Sequence, residues 1–318
     1  MKVIFPDNNQ KWNKFLFENK GSFLQSFEWG EFQKSLGKKV WRLEAREGGE
    51  IFAQAQVIKE DFSFGKSHFY IPFGPCFKRE DSLEVIFKEI QELAKKENSV
   101  FLRIESFAKI TIPKEFLFKT VETRIQPQKT LLLNLEESEE EIFENFSSGT
   151  RYNIRLSEKK DVKIRFEDEY IPEFYKLIKK TSIRHSFTPF DEKHYISLFN
   201  VKNNDFKVKM CIAEHQGKII GTYILVLFNK IAFSLHGATN RDYRALKVSN
   251  LLQWEKIKLA KRMGCEKFDF WGIDKEKWPG LTAFKQGFNG QELQYPATNE
   301  IIFQKFWYKL YCFLKRLK

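Results

Sequence analysis

The chain has 318 residues, 42% hydrophobic and 16% aromatic, and its 54 Lys and Arg against 42 Asp and Glu give a formal charge of +12. Such apolar content excludes disorder over any large part of the chain, and the length leads to an expectation of two domains. The positive surplus favours polyanions such as nucleic acid, a nucleotide-linked substrate or an anionic membrane, and a Lys-rich genome produces the same surplus without any of them.

The opening KVIFPDNNQKWNKF has neither the apolar core nor the small-residue cleavage site of a secretory signal. No stretch reaches the roughly 18 apolar residues that span a bilayer, so a cytosolic location is expected. From Trp41 the pattern runs strand (WRLEA), polar turn (REGGE), strand (IFAQAQVI), turn, strand (SHFYIPFG), helix (LEVIFKEIQELAKKEN) and strand (VFLRIE). Val85, Ile86, Ile90 and Leu93 recur at helical spacing. The segment EESEEEIFENFSSGTRYNIRLSEKK then reads as helix, short break and basic helix. From Lys209 the first order returns: strand (MCIAE), turn (HQGK), strand (IIGTYILVLF), strand (IAFSLHGA), helix (SNLLQWEKIKLAKRMG) and strand (KFDFWGI). Cys76, Cys211, Cys265 and Cys312 are widely spaced with no CxxC pair, so neither a metal site nor a disulfide framework is expected.

Two copies of hairpin, strand, helix and strand imply an α/β (α+β) chain of two tandem domains, each a mixed β-sheet with packed helices, arisen by duplication. The order of elements resembles the GNAT acyltransferase fold, and fold alone does not establish acyl transfer. The boundary is placed near Leu135. The expected domains are residues 1–135 with 300–318, the C-terminal helix returning to the first, and residues 136–299.

Six strings occur in order along nearly the whole chain: SFLQSFEWGEF (Ser22 to Phe32), FYIPFGPCF (Phe69 to Phe77), IQPQKTLLLNL, TRYNIRLSEKKDVKI, FDFWGID and LTAFKQGFNG. Together they resemble the FemABX family: a helix entry, a YxPxGP turn, the strand that closes the first domain (Gln126, Pro127, Thr130), the opening of the second, and two C-terminal signatures. The resemblance implies an aminoacyltransferase that moves an amino acid from aminoacyl-tRNA to an amine on the peptide stem of a peptidoglycan precursor. That precursor is lipid II or UDP-MurNAc-pentapeptide, with the first domain on its side and the second on the donor side. No metal and no other cofactor is implied, and a monomer is the default. Amine attack on an activated ester needs alignment and oxyanion stabilisation. No Ser/His/Asp or Cys/His arrangement is discernible, which fits direct aminolysis rather than a covalent enzyme intermediate. No segment of the second domain sustains three heptads, so the compact form without a helical arm is expected.

The resemblance also assigns residues. Lys285, after Phe284 in AFKQGF, matches a family lysine near the donor end, where an ammonium neutralises tRNA phosphate or the developing oxyanion; the alternative is a solvated lysine before a Gly turn. Glu105, ending VFLRIES, matches an acidic residue proposed as base, against a helix cap or ion-pair partner. Asp269 in the equivalent strand reads as structural. Lys34 is the match for a phosphate-binding lysine. Phe190 stands where the family often supplies an Arg, and Arg184, His185 or Lys193 compensates or the diphosphate is held differently. Tyr70 and Trp271, beside Gly74 and Gly272, line substrate or belong to the core. Arg151, Arg155, Lys159 and Lys160 form a tRNA-binding helix face or an ordinary solvated one. In the loop NRDYRALKVSN, Arg241, Arg244 and Lys247 precede a helix without the Gly-rich pattern of a CoA site, which disfavours CoA.

The tail EIIFQKFWYKLYCFLKRLK spaces Phe303, Phe306, Trp307, Leu310, Phe313, Leu314 and Leu317 helically among lysines. It reads as a peripheral membrane contact over residues 303–318, or as a helix packed back on the first domain. Three other functions stay open: an aminoacyl-tRNA:protein transferase, an acyl-CoA N-acyltransferase, and an inactive basic homologue that binds RNA or membrane.

Overall fold

A computed structural model describes residues 1–6, 9–167, 171–185 and 187–316. The chain forms two compact units, Met1–Gln128 with Tyr295–Lys318, and Lys129–Gln294. The first carries β1 (Lys2–Ile4), α1 (Asn9–Glu18), α2 (Phe27–Ser35), β2 (Val40–Glu47), β3 (Glu50–Phe62), β4 (Lys66–Pro72), β5 (Cys76–Phe77), α3 (Ser82–Lys96), β6 (Ser99–Glu105) and β7 (Phe118–Val121). The second begins with β8 (Lys129–Asn134), α4 (Glu139–Glu144), α5 (Ser148–Lys159), β9 (Lys163–Glu167), α6 (Ile171–His185) and α7 (Glu192–Asn200). It continues with β10 (Phe206–His215), β11 (Lys218–Phe228), β12 (Ile231–Thr239), α8 (Val248–Arg262), β13 (Lys267–Asp269), α9 (Pro279–Gln286) and β14 (Gln291–Gln294). The chain then returns to the first unit with β15 (Thr298–Ile302) and α10 (Lys305–Arg316).

The first sheet runs β1-β2-β3-β4-β6-β15-β7, with β5 paired to β3, and the second runs β9-β10-β11-β12-β13-β8-β14. The orders match place for place, and each sheet has one parallel pair, β4 with β6 and β12 with β13. The strand beside that pair is exchanged. β8 follows β7 in the chain yet pairs with β13 and β14, while β15 follows β14 and pairs with β6 and β7.

This exchange corrects the expected boundary. The strand read as closing the first domain closes the second sheet, and its Leu131 and Leu133, with Leu135 beyond it, join the second core. The units therefore divide between Gln128 and Lys129, and again between Gln294 and Tyr295. The last strand of the repeat is also shorter than KFDFWGI suggests, ending at Asp269.

Each unit's long helix reflects its surroundings. α3 buries Leu83, Ile86, Phe87, Ile90, Leu93 and Ala94, one apolar stripe laid on the sheet. α8 is buried nearly all round, and it packs on α5 as well as on the sheet. A capping box of Ser138 and Glu141 starts α4, and Ser147 caps α5. In the first unit a buried Arg103–Glu300 pair ties β6 to β15, and the Tyr308 hydroxyl donates to Glu300, fastening α10 to the same point.

Candidate active site

In the second unit β12 and β13 stay paired for only three residues, Ile231 with Lys267, Ala232 with Phe268 and Phe233 with Asp269. Beyond Phe233, β12 continues along β11 to Thr239. The other strand leaves it but remains bound to β8, since Phe270 N–H donates to Leu131 O and Ile273 N–H to Lys129 O. Between those bonds the backbone turns through Trp271 and Gly272, both left-handed at φ 54° and 27°. Parallel strands that part at their C-terminal ends create the kind of opening where α/β sheets take ligands.

Three side chains hold this turn. Asp269 accepts from the Thr130 hydroxyl and from Trp271 N–H at 2.7 Å. Lys285, reaching from α9, donates through Nζ to the carbonyls of Trp271 and Gly272, the latter at 2.7 Å. Burial pulls the Lys285 ammonium down to about 8, with Asp269 pulling the other way. At neutral pH the site thus holds a partly desolvated cation on two peptide oxygens.

Lys256 of α8 went unnoticed in the sequence. It is fully buried, donates to Ser234 Oγ at 2.6 Å and lies 3.9 Å from the Tyr223 ring centre. Burial lowers it to about 7; the buried Cys211 thiol raises it and the Lys285 charge lowers it further. One signal was available: Lys256 falls at helical spacing between Leu252 and Ala260, on an otherwise apolar stripe.

A cavity of ≈ 510 Å³ is lined by Arg184 and His185 at the end of α6, by Arg241, Arg244 and Lys247 after β12, and by Phe284 of α9. Arg184 and His185 thus join the loop cations, whereas exposed Lys193 is not among the lining residues. Phe190 is half-exposed and stacks on His194 at 3.9 Å, with Tyr195 and His236 edge-on to it.

The basic helix α5 is less open than its sequence suggests. Arg151 donates through Nη1 to the carbonyls of Glu144 and Phe146, both at 2.5 Å, closing the end of α4. Arg155 pairs with Glu144 at 3.4 Å and lies over Phe143. Lys159 and Lys160 are exposed.

In the first unit, Glu105 is buried at the end of β6 and its carboxylate accepts three bonds: Tyr70 Oη at 2.9 Å, Ile125 N–H at 2.7 Å and Gln126 N–H at 2.8 Å. Tyr70 is itself buried, so neither its ring nor its hydroxyl is presented at the surface. The expectation of a base at Glu105 meets a carboxylate whose lone pairs hold the loop after β7. Lys34 is part-exposed on α2 and pairs with Glu31 at 3.0 Å, which also pairs with Arg42. Residues 317 and 318 of the tail lie outside the described residues; over the rest of α10, Tyr308 faces inward while Phe306 and Phe313 are exposed.

A family model described as the FemAB family matches residues 8–111, 105–218 and 207–316. The lipid II:glycine glycyltransferase of Staphylococcus haemolyticus (strain JCSC1435) is 22% identical, over 84% of this chain and 84% of its own. Its counterpart in Staphylococcus aureus (strain MRSA252) is 23% identical, over 86% of this chain and 70% of its own. The crystal structure of FemX matches with a TM-score of 0.85 at 17% identity, covering 98% of this chain and 99% of that one. A tandem GNAT protein from the clavulanic acid biosynthesis pathway matches at 0.57 with 10% identity, covering 95% and 98%. Both structural likenesses bear out the GNAT-like α/β fold expected from the internal repeat.

Proposed function

Because the chain belongs to the FemAB family, we propose that it is an aminoacyltransferase that moves an amino acid from aminoacyl-tRNA to an amine on the peptide stem of a peptidoglycan precursor. The relatives named for lipid II favour the lipid-linked acceptor over the nucleotide-linked one. The observation that carries the reading is the parting of β12 from β13 with Lys285 set beside it.

In this reading the acceptor nitrogen bonds to the ester carbonyl carbon, and the carbonyl oxygen becomes an oxyanion. The tetrahedral intermediate then collapses, the ribose oxygen leaves with a proton, and the amine gives one up. Lys285, protonated below about pH 8, supplies positive charge in a poorly hydrated place, where it is worth more than in water. The turn at Trp271 and Gly272 keeps the ammonium in place before substrate arrives. Glu105 and Tyr70 act as frame, fixing the loop at Ile125 and Gln126.

The loop from Arg244 to Ser249 contains no glycine, which supports a donor other than CoA. A lipid-linked acceptor also gives α10 a task. Its exposed Phe306 and Phe313, with exposed Lys305 and Lys309 on the same helix, suit an anionic bilayer surface.

The test is incubation with charged tRNA and either lipid II or UDP-MurNAc-pentapeptide, read by mass spectrometry. A gain of one aminoacyl residue on the muropeptide is expected, and faster on lipid II. No gain on either acceptor, with any charged tRNA, would refute the reading.

A further inference from the structure

We infer that Ser234 and Lys256 form a proton relay where β12 parts from β13, taking the proton that the acceptor amine sheds and returning it to the leaving ribose oxygen. The inference deepens the proposed reaction and rests on it. It gives a task to a buried lysine that the oxyanion chemistry of Lys285 leaves unused. Phe233 is the last residue of β12 matched to β13, so Ser234 is the first beyond the parting. On one side β11 still holds Ser234, opposite Leu225, and on the other the paired strand has gone. Ser234 keeps 7% of its surface, whereas Lys256 keeps none and donates to Ser234 Oγ at 2.6 Å. The serine is thus the group through which the lysine meets the opening.

The fold by itself does not call for this lysine. α3, its counterpart on the first sheet, buries Leu83, Ile86, Phe87, Ile90, Leu93 and Ala94 and no charged side chain. A lysine at a core position loses hydration, and burial frees its lone pair to accept a proton. The groups that face Lys256 come from four strands: Cys211 of β10, the Tyr223 ring of β11, Ser234 of β12, and the Phe268 ring of β13 at 6.0 Å. Burial and the charge of Lys285 on α9 favour the neutral amine, the Cys211 thiol opposes them, and among the described residues no carboxylate pairs with it. Lys256 therefore loses its proton at about 7, before Lys285 does so at about 8. Two neighbouring lysines set apart in this way divide the work, the neutral one as proton acceptor and the charged one facing the oxyanion.

A hydroxyl both accepts and donates, so a neutral Lys256 takes its hydrogen bond from Ser234 rather than giving one. As the amine lone pair bonds to the ester carbonyl carbon, an N–H proton passes to Ser234 Oγ and the serine's own proton passes to the Lys256 nitrogen. When the tetrahedral intermediate collapses, the C–O electron pair leaves on the ribose oxygen. The Lys256 ammonium then returns a proton to Ser234, which gives its own to that oxygen. The relay ends in the state in which it began, and no co-reactant is consumed.

The experiment measures single-turnover transfer by the full-length protein between about pH 5.5 and about pH 9, with the charged tRNA and muropeptide that wild type uses. Lys256→Met exchanges one long unbranched side chain for another and Ser234→Ala removes one oxygen, so both variants are expected to fold. Dividing the wild-type rate by that of Lys256→Met at each pH cancels the titration of the acceptor amine and of Lys285. The quotient should be about 10 at pH 6, rise to about 100 and level off above about pH 7. Ser234→Ala should give the same curve, and the double variant should be no slower than either single one, as expected of two residues acting as a unit. Ser234→Thr, which keeps the hydroxyl, should return the rate to within about fivefold of wild type.

A quotient that stays constant across the pH range would overturn the relay, because a lysine that only props the sheet alters the rate equally at every pH. So would transfer by Ser234→Ala within about twofold of wild type. An aminoacyl ester found on Ser234 of denatured wild type would also overturn it, since the serine would then be a nucleophile. The two failures are separable. No transfer by wild type with any charged tRNA sinks the reaction and the relay together, whereas transfer by wild type with a constant quotient sinks the relay alone.

Discussion

The two sheets are copies of one pattern, yet their parallel pairs end differently. In the first unit β4 and β6 stay together to their last residues, Pro72 opposite Glu105. In the second, β12 and β13 part after Phe233 and Asp269. Each acid at the end of its strand then holds the chain nearby: Glu105 takes N–H groups from Ile125 and Gln126, and Asp269 takes that of Trp271. The closed end buries its polar groups, while the parted end is held by a lysine. In the proposed reaction, one copy of the duplicated fold thus serves as frame and the other as reaction site.

The sharpest way to break this comparison is to remove each side's key group and ask whether stability or rate responds. Glu105→Ala removes the carboxylate that accepts from the buried Tyr70 hydroxyl and from two part-buried backbone N–H groups, at a cost of about 3 kcal/mol. Urea denaturation should show that loss, with transfer by the folded fraction within about threefold of wild type. A variant of full stability and greatly reduced rate would return Glu105 to the role of base.

Lys285→Met is the converse, lowering single-turnover transfer about 100-fold, or ~2.7 kcal/mol, while moving the urea midpoint far less, because relief of a buried ammonium offsets the loss of its two carbonyl bonds. The wild-type rate should also fall as pH rises through about 8, where the ammonium is lost. That descending limb should be absent from the variant. Transfer within twofold of wild type would remove Lys285 from the chemistry.

The comparison also explains what the sequence disclosed. Hairpin, strand, helix and strand were legible twice over because alternation and helical spacing are local. The exchange of β8 and β15 was not, since nothing in KTLLLN or TNEII states which sheet supplies the partner; pairing is decided between segments far apart in sequence. In the candidate site, Lys285 was found by resemblance, and its placement on two carbonyls follows from a turn that no periodicity describes. Arg151 read as a surface cation because the nearby carbonyls it binds are invisible in composition. Lys256 was passed over as one more lysine in a Lys-rich helix, although its spacing put it on the buried stripe.

Lys256 sharpens the comparison at the level of the helices, since α3 has no buried charge among its core residues and α8 has one. Its folded pKa of about 7 lies below the ordinary 10.5, so between these values the unfolded chain binds more protons. Stability therefore rises with pH through that window, and the full burial cost is felt below about pH 7. Lys256→Met should raise stability at pH 7 by about 2 kcal/mol and flatten its rise towards pH 10, measured by urea denaturation at several pH values. A less stable variant would show that the bond to Ser234 and the contact with Tyr223 outweigh desolvation.

The exchanged strands supply the last contrast, because each leads into a helix of opposite character. After β8 comes acidic α4, whose Phe143, with Phe146 just beyond the helix, packs on Trp254. After β15 comes α10, basic and aromatic, with Phe306 72% and Phe313 60% exposed. Phe64, 71% exposed at the β3–β4 turn, lies 6.3 Å from Trp307 by ring centres and extends the same apolar face. Lys66 is also over Trp307. If this face meets an anionic bilayer, Phe306→Ser with Phe313→Ser should reduce sedimentation with phosphatidylglycerol vesicles about 10-fold, ~1.4 kcal/mol. That is less than two fully buried rings contribute, because aromatic residues at an interface stay partly wet. High salt should weaken wild type and variant by the same factor, since the lysines remain in both. Equal sedimentation of the two proteins at low salt would leave α10 as a helix docked on its own sheet through Tyr308 and nothing more.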